Sequence, residues 1–188
     1  MNQRNLPGNY RAIAGIDLDK NKREKIFVNV LSFVLFAAVL LAGCLLRPLS
    51  GMTAAFAGKG WALLGMLVVY VVLHEAVHGL VMYLCSRTKP RFGMQSVYFY
   101  AASSVYFDKK SYLCIAIAPV VLLGAVLGVL HFVLPPDWFW VLLFTQAMNF
   151  SGAAGDFYCF VRVAGFPKEI LIQDSGVDMR IYAPDDKG

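Results

Sequence analysis

The chain has 188 residues, of which 59% are hydrophobic and 15% charged, against roughly 45–50% and 25% in a soluble domain. That balance excludes a disordered chain and argues against an ordinary soluble enzyme. The net charge of +5 comes from 17 Lys and Arg against 12 Asp and Glu. These cations flank apolar runs, so topology and anionic lipid account for them better than nucleic acid does.

In chain order, a polar tail over residues 1–25 comes first. Four apolar stretches follow, at about 26–46, 61–85, 112–133 and 138–160, each near the ~20 residues needed to cross a hydrocarbon core. The expected fold is an all-α polytopic membrane protein, with four transmembrane helices and small cytosolic β-hairpins in a single membrane domain. Lys plus Arg number six before the first span, two in the first loop, five in residues 86–111, none in the third loop and four after the last span. By the positive-inside rule this alternation places both termini and the 86–111 loop on the cytosolic side of a bacterial cytoplasmic membrane. Trp61 and Trp138 then mark the outer boundaries. Leu41-Ala42-Gly43-Cys44 looks like a lipoprotein cleavage box, but a long polar leader precedes it and the apolar run continues past Cys44, so the span is expected to be retained.

Cys44, Cys85, Cys114 and Cys159 all fall in or at the ends of spans without metal-knuckle spacing, which reads as buried, inert thiols. Two cytosolic segments have strand character. Gln95 to Phe107 is rich in Val, Tyr and Phe around Ala101-Ala102-Ser103-Ser104, which predicts a hairpin turning at those small residues. Glu169–Gln173 and Val177–Tyr182 flank Asp174-Ser175-Gly176, a second hairpin signal.

Chemistry concentrates in the second span, at His74-Glu75-Ala76-Val77-His78. Positions four apart share one helix face, so both imidazoles reach a single metal while Glu75 sits beside its open position. Ionisable groups inside a span are costly, about 2.5–3.5 kcal/mol for a carboxylate, unless they have partners. A catalytic zinc needs a third protein ligand, and within the spans the only carboxylate besides Glu75 is Asp156. Gly152 and Gly155 precede it, and they are expected either to break the fourth helix or to let helices pack closely. His131 lies at the outer end of the third span and reads as an interfacial residue.

An HExxH in one span, an aspartate preceded by an asparagine in a later span, and a strand-forming segment between them resemble the site-2 protease class of intramembrane zinc metalloproteases. The segment Asn149-x-x-Gly152-x-x-Gly155-Asp156 resembles more closely a family of small bacterial membrane proteins described as putative zincin peptidases. The resemblance implies zinc as cofactor, His74, His78 and Asp156 as its ligands, and Glu75 as catalytic base. It also implies Asn149 as a catalytic residue that holds the substrate or its oxyanion, although a capping or packing role fits that asparagine equally well. Site-2 proteases usually carry glycine after the aspartate, where Phe157 stands here.

The expected activity is hydrolysis of peptide bonds in membrane-associated substrates near the cytosolic face, with the lipid bilayer and a membrane-protein or peptide substrate as partners and no nucleic acid. A hairpin strand is expected to hold the substrate extended by edge pairing, or else to lie at the interface through its tyrosines. Two other classes remain at this point, a metal-ion transporter and a catalytically inactive membrane scaffold.

Overall fold

Two side-chain caps start the long helices of the protein. In the computed structural model, which describes residues 2–17, 20–95, 98–176 and 178–185, Asn21 Oδ1 accepts from the Arg23 and Glu24 N–H groups at 3.2 and 3.3 Å and opens helix α1 (Lys22–Leu46). Asp108 Oδ1 accepts from the Ser111 N–H at 2.9 Å and opens α3 (Lys109–Val133). Both satisfy N–H groups that a helix start leaves without partners. Between them runs α2 (Ser50–Ser86), whose helical geometry is interrupted at Lys59 (φ −128°, ψ 17°), between two glycines. Most of the expected outer connection before residue 61 is therefore already helical.

Among the described residues, α1, α2 and α3 are long and apolar enough to cross a membrane. Much of their apolar surface is exposed, with Phe33 at 72%, Leu45 at 88% and Phe132 at 92%. Surfaces of that kind are suited to lipid or a partner rather than to water.

The expected fourth span is not one helix. Pro136–Trp138 form a 3-10 turn, α4 covers Phe139–Gly152, and α5 covers Ala154–Ala164. At the junction Ala153 has φ −82° and ψ 9°, and its N–H bonds Ser151 O. Neither piece has the ~20 residues of a full crossing, so three long apolar helices and a broken helical segment replace the four spans. The break puts Asp156 in the first turn of α5, where a carboxylate is favoured by the helix dipole.

The chain divides into two compact units. The first comprises Met1–Ile26, Glu75–Ala118 and Asp156–Gly188. It contains a four-stranded antiparallel sheet in the order β1-β6-β5-β4, formed by β1 (Tyr10–Ile16), β4 (Tyr106–Asp108), β5 (Leu171–Asp174) and β6 (Met179–Pro184). β1 pairs with β6 from Tyr10↔Pro184 to Ile16↔Met179, with a bulge between Ala12 and Ala14. Phe107, Ile172 and Ile181 of the sheet pack with Met82, Ile115 and Val163 in one buried cluster. Asn2 ties the N-terminal segment in, donating from Nδ2 to Cys85 O and Ser111 Oγ and accepting the Asp108 N–H on Oδ1. No strand was expected in the N-terminal tail.

The C-terminal hairpin forms as β5–β6, with Gly176 at φ +82°, a conformation that glycine adopts without steric cost. Val177 lies outside the described residues. The other expected hairpin has its strands in place but a different pairing. β2 (Arg91–Gln95) pairs with β3 (Tyr98–Ala102) in a separate two-stranded sheet, and residues 96 and 97 between them lie outside the described residues. Ala101 and Ala102, read from sequence as turn residues, are paired strand residues and are buried. Their small size serves packing. Val105 and Phe107 are buried as well, and Tyr106–Asp108 joins β5 rather than β3.

The second unit comprises Phe27–His74 and Pro119–Gly155. Trp140, Val141 and Leu143 are buried with Ala55 and Leu63, and Phe36 and Phe56 meet Phe144 edge-on at 5.1 and 5.6 Å. Lys59 Nζ lies 2.6 Å from Asp137 Oδ2 and 5.6 Å from the Trp138 ring centroid. The four cysteines are unpaired, and Cys44 and Cys114 are exposed rather than buried as expected.

Candidate metal centre

His74, Glu75 and His78 lie on α2, and Asp156 is in the first turn of α5. The unit boundary falls at the His74–Glu75 peptide bond inside α2, so the helix itself fixes His74 one turn from His78. His74, His78 and Asp156 each offer one ligand atom within 4.8 Å of the others. His78 Nε2 and Asp156 Oδ1 are 3.4 Å apart. Two ligands bonded at about 2.0–2.1 Å in tetrahedral geometry are separated by about 3.4 Å, so this pair already stands at coordination spacing. Both imidazoles are buried.

The tautomer of His78 follows from its partner. Its Nδ1 lies 2.9 Å from the backbone oxygen of Ile115, and a carbonyl only accepts, so Nδ1 carries a proton and Nε2 is the nitrogen left for a metal. Outer hydrogen bonds of this kind orient metal-ligating imidazoles. His74 Nδ1 lies 3.3 Å from the Tyr70 hydroxyl, one turn earlier on α2. A donor set of two imidazole nitrogens and one carboxylate oxygen is the set a catalytic zinc takes, and it leaves a coordination position open.

A cavity of about 180 Å³ adjoins the site, with Glu75, His78, Asp156, Asp174, Tyr100 and Tyr112 among its lining. Glu75 therefore faces the space beside the imidazole pair without belonging to the three-residue group. β3 contributes Phe99, Tyr100 and Ala101 to the same wall, and among the described residues its paired strand is β2.

Asn149 is placed differently. It is fully buried on α4, its Nδ2 donates to Val120 O at 3.1 Å, and it is absent from the cavity wall. Its Oδ1 is buried without a hydrogen-bond partner. His131 donates from Nδ1 to Leu127 O at 2.9 Å and has no place in the ligand group.

Asp174, at the start of the C-terminal hairpin turn, also lines the cavity. Its Oδ2 accepts from the Tyr112 hydroxyl at 3.3 Å and its Oδ1 from the Gly176 N–H at 2.9 Å. Burial pushes its carboxyl above the usual carboxylate range, against the opposing pull of the Gly176 N–H. The Asx-type bond to Gly176 was legible in Asp-Ser-Gly, but its approach to a cavity formed by α2 and α3 was not.

Compared with known proteins, residues 67–171 match the family described as "Putative zincin peptidase". The match covers more than half of the chain and contains the imidazole pair, Glu75, Asn149 and Asp156. No curated protein and no solved structure matches the chain.

Proposed function

Because the chain belongs to the putative zincin peptidase family, with zinc as the implied cofactor and a metallopeptidase activity, we propose that it is an intramembrane protease of the site-2 type. It hydrolyses peptide bonds of membrane-associated substrates near the cytosolic face. The observation that carries this reading is the convergence of His74, His78 and Asp156 beside a cavity lined by Glu75.

The sheet supports the sidedness. β1, β4 and β6 belong to one sheet, which supports a common side of the bilayer for the N-terminal segment, the segment between α2 and α3, and the C-terminal segment. α1 and α2 then form an outgoing and returning pair, and the broken α4–α5 segment brings the chain back after α3. The Lys and Arg count makes the shared side cytosolic. Broken helices at membrane depth are tolerated where they are buried in protein or line a water-filled cavity, and hydrolysis requires water at this site.

His74, His78 and Asp156 would hold the zinc ion, which would supply Lewis acidity toward the attacking water and the scissile carbonyl. Glu75 takes the proton from the attacking water and passes it to the leaving amine. His78 keeps Nε2 directed at the ligand group through its bond to Ile115. Asn149 commits its Nδ2 to the Val120 carbonyl, which supports the packing role rather than a substrate contact.

β3 offers a substrate strand an edge beside the catalytic groups, and main-chain pairing holds the scissile bond extended. Phe99→Lys is therefore expected to lower kcat/KM on a membrane-anchored substrate about tenfold, the equivalent of one contact worth ~1.4 kcal/mol, without changing zinc content. Equal cleavage by this variant removes the edge-pairing role.

Tyr70 orients His74. A Cβ on Gly152 would lie 2.7 Å from the Tyr70 hydroxyl oxygen but 3.5 Å from the ring carbon that bears it. Gly152→Ala is thus expected to displace the hydroxyl and weaken zinc binding about tenfold. In a Tyr70→Phe background the same change meets no hydroxyl and should add little. Additive losses in a chelator-competition titration contradict this coupling.

The proposed activity is tested on protein reconstituted in vesicles with a tagged, membrane-anchored substrate. Cleavage should stop on chelation and return with zinc. Cleavage that survives complete metal removal overturns the proposal.

A further inference from the structure

We propose that Pro119 is a positioning residue of the metal centre, acting by leaving the Ile115 carbonyl free for His78. The inference rests on the metallopeptidase reading above and adds a residue outside the HExxH and aspartate motifs. Pro119 lies inside α3. In an α-helix the N–H of residue i bonds the carbonyl of residue i−4, and proline has no N–H to give. The carbonyl deprived by Pro119 is that of Ile115, and this same oxygen lies 2.9 Å from His78 Nδ1.

A mid-helix proline is normally a net cost, since it loses a backbone bond and its ring crowds the preceding turn. Here the lost bond is replaced by one from a metal-ligand candidate on another helix. Ile115 is almost fully buried at 1% exposure, so an unmet acceptor there is costly. The carbonyl accepts only, so it selects the Nδ1–H tautomer of His78 and leaves Nε2 facing Asp156 Oδ1 at 3.4 Å. Proline at 119 thereby couples a defect in one helix to the orientation of a candidate ligand on another.

Pro119→Ala returns an N–H to the turn, in competition with His78 for the Ile115 oxygen. The full-length protein in lipid nanodiscs is tested by zinc titration against a chromogenic chelator, together with thermal unfolding of the metal-free form. Zinc affinity is expected to fall about tenfold while the apo unfolding temperature rises. A role confined to helix shape does not produce opposite signs. The chain has three histidines, so 15N-labelled imidazole NMR on the apo wild type reads the His78 tautomer independently of the variant. A proton on Nδ1 is expected. A wild-type protein that binds zinc with His78 in the Nε2–H form, or a Pro119→Ala variant with affinity within twofold of wild type, overturns this inference alone. A wild-type protein that binds no zinc overturns the metallopeptidase reading with it.

Discussion

Glu75→Gln is expected to keep its zinc and lose about 10²–10⁴-fold in kcat, the contribution of a positioned general base. At 1.36 kcal/mol per decade this corresponds to about 3–5 kcal/mol of transition-state stabilisation. Glutamine preserves the side-chain shape and removes the ability to take a proton. The retained metal follows from geometry, because the three donors that converge are His74, His78 and Asp156, while Glu75 lines the adjoining cavity. Parallel measurements of turnover and metal content therefore separate three classes of function. A protease loses turnover at constant zinc, a transporter alters its flux, and an inactive scaffold is indifferent. Loss of zinc in Glu75→Gln would move this residue from base to ligand and contradict the assignment.

Asp156→Ala carries the second large effect. It removes one of the three donors and the carboxylate 3.4 Å from His78 Nε2, so zinc affinity should fall by more than the ~10–100-fold typical of outer-sphere partners. Asp174→Ala is the matched comparison. Asp174 shares the cavity but stands outside the convergent group, and its removal should leave zinc affinity within a few-fold of wild type. Equal losses from the two changes would indicate that the cavity's negative charge, rather than a bond from Asp156, draws the metal.

Much of this centre was legible because its signals are local or forced. His74 and His78 are four residues apart on one helix, a spacing that needs no tertiary information. Asp156 emerged by elimination, since a carboxylate in an apolar stretch needs a partner. The Asp174-Ser175-Gly176 turn was legible for the same local reason. Other features depend on distant partners. β1 lies in a tail without a strong strand pattern, and it becomes a strand by pairing Tyr10 with Pro184 and Ile16 with Met179 at the far end of the chain. Ala101 and Ala102 look like turn residues because they are small, whereas their size reflects close packing in β3.

The fourth apolar stretch was read as continuous because hydropathy does not register backbone geometry. Gly152 and Gly155 hinted at a break, but its position at Ala153 follows from the packed structure. Pro119 carried a signal of a different kind. A lone proline in an apolar helix identifies a deprived carbonyl four residues earlier, yet the residue that uses that carbonyl, His78, is known only once α2 and α3 are placed.

The central claim is that His74, His78 and Asp156 bind one zinc ion. X-ray absorption at the zinc edge of the purified full-length protein, with zinc and protein quantified on the same sample, tests it most directly. One zinc per chain is predicted, with two imidazoles and the remaining ligands all oxygen, at about 2.0–2.2 Å. His74→Ala should reduce the imidazole count to one. Sulfur ligation at about 2.3 Å, or an unchanged imidazole count in that variant, would contradict the account.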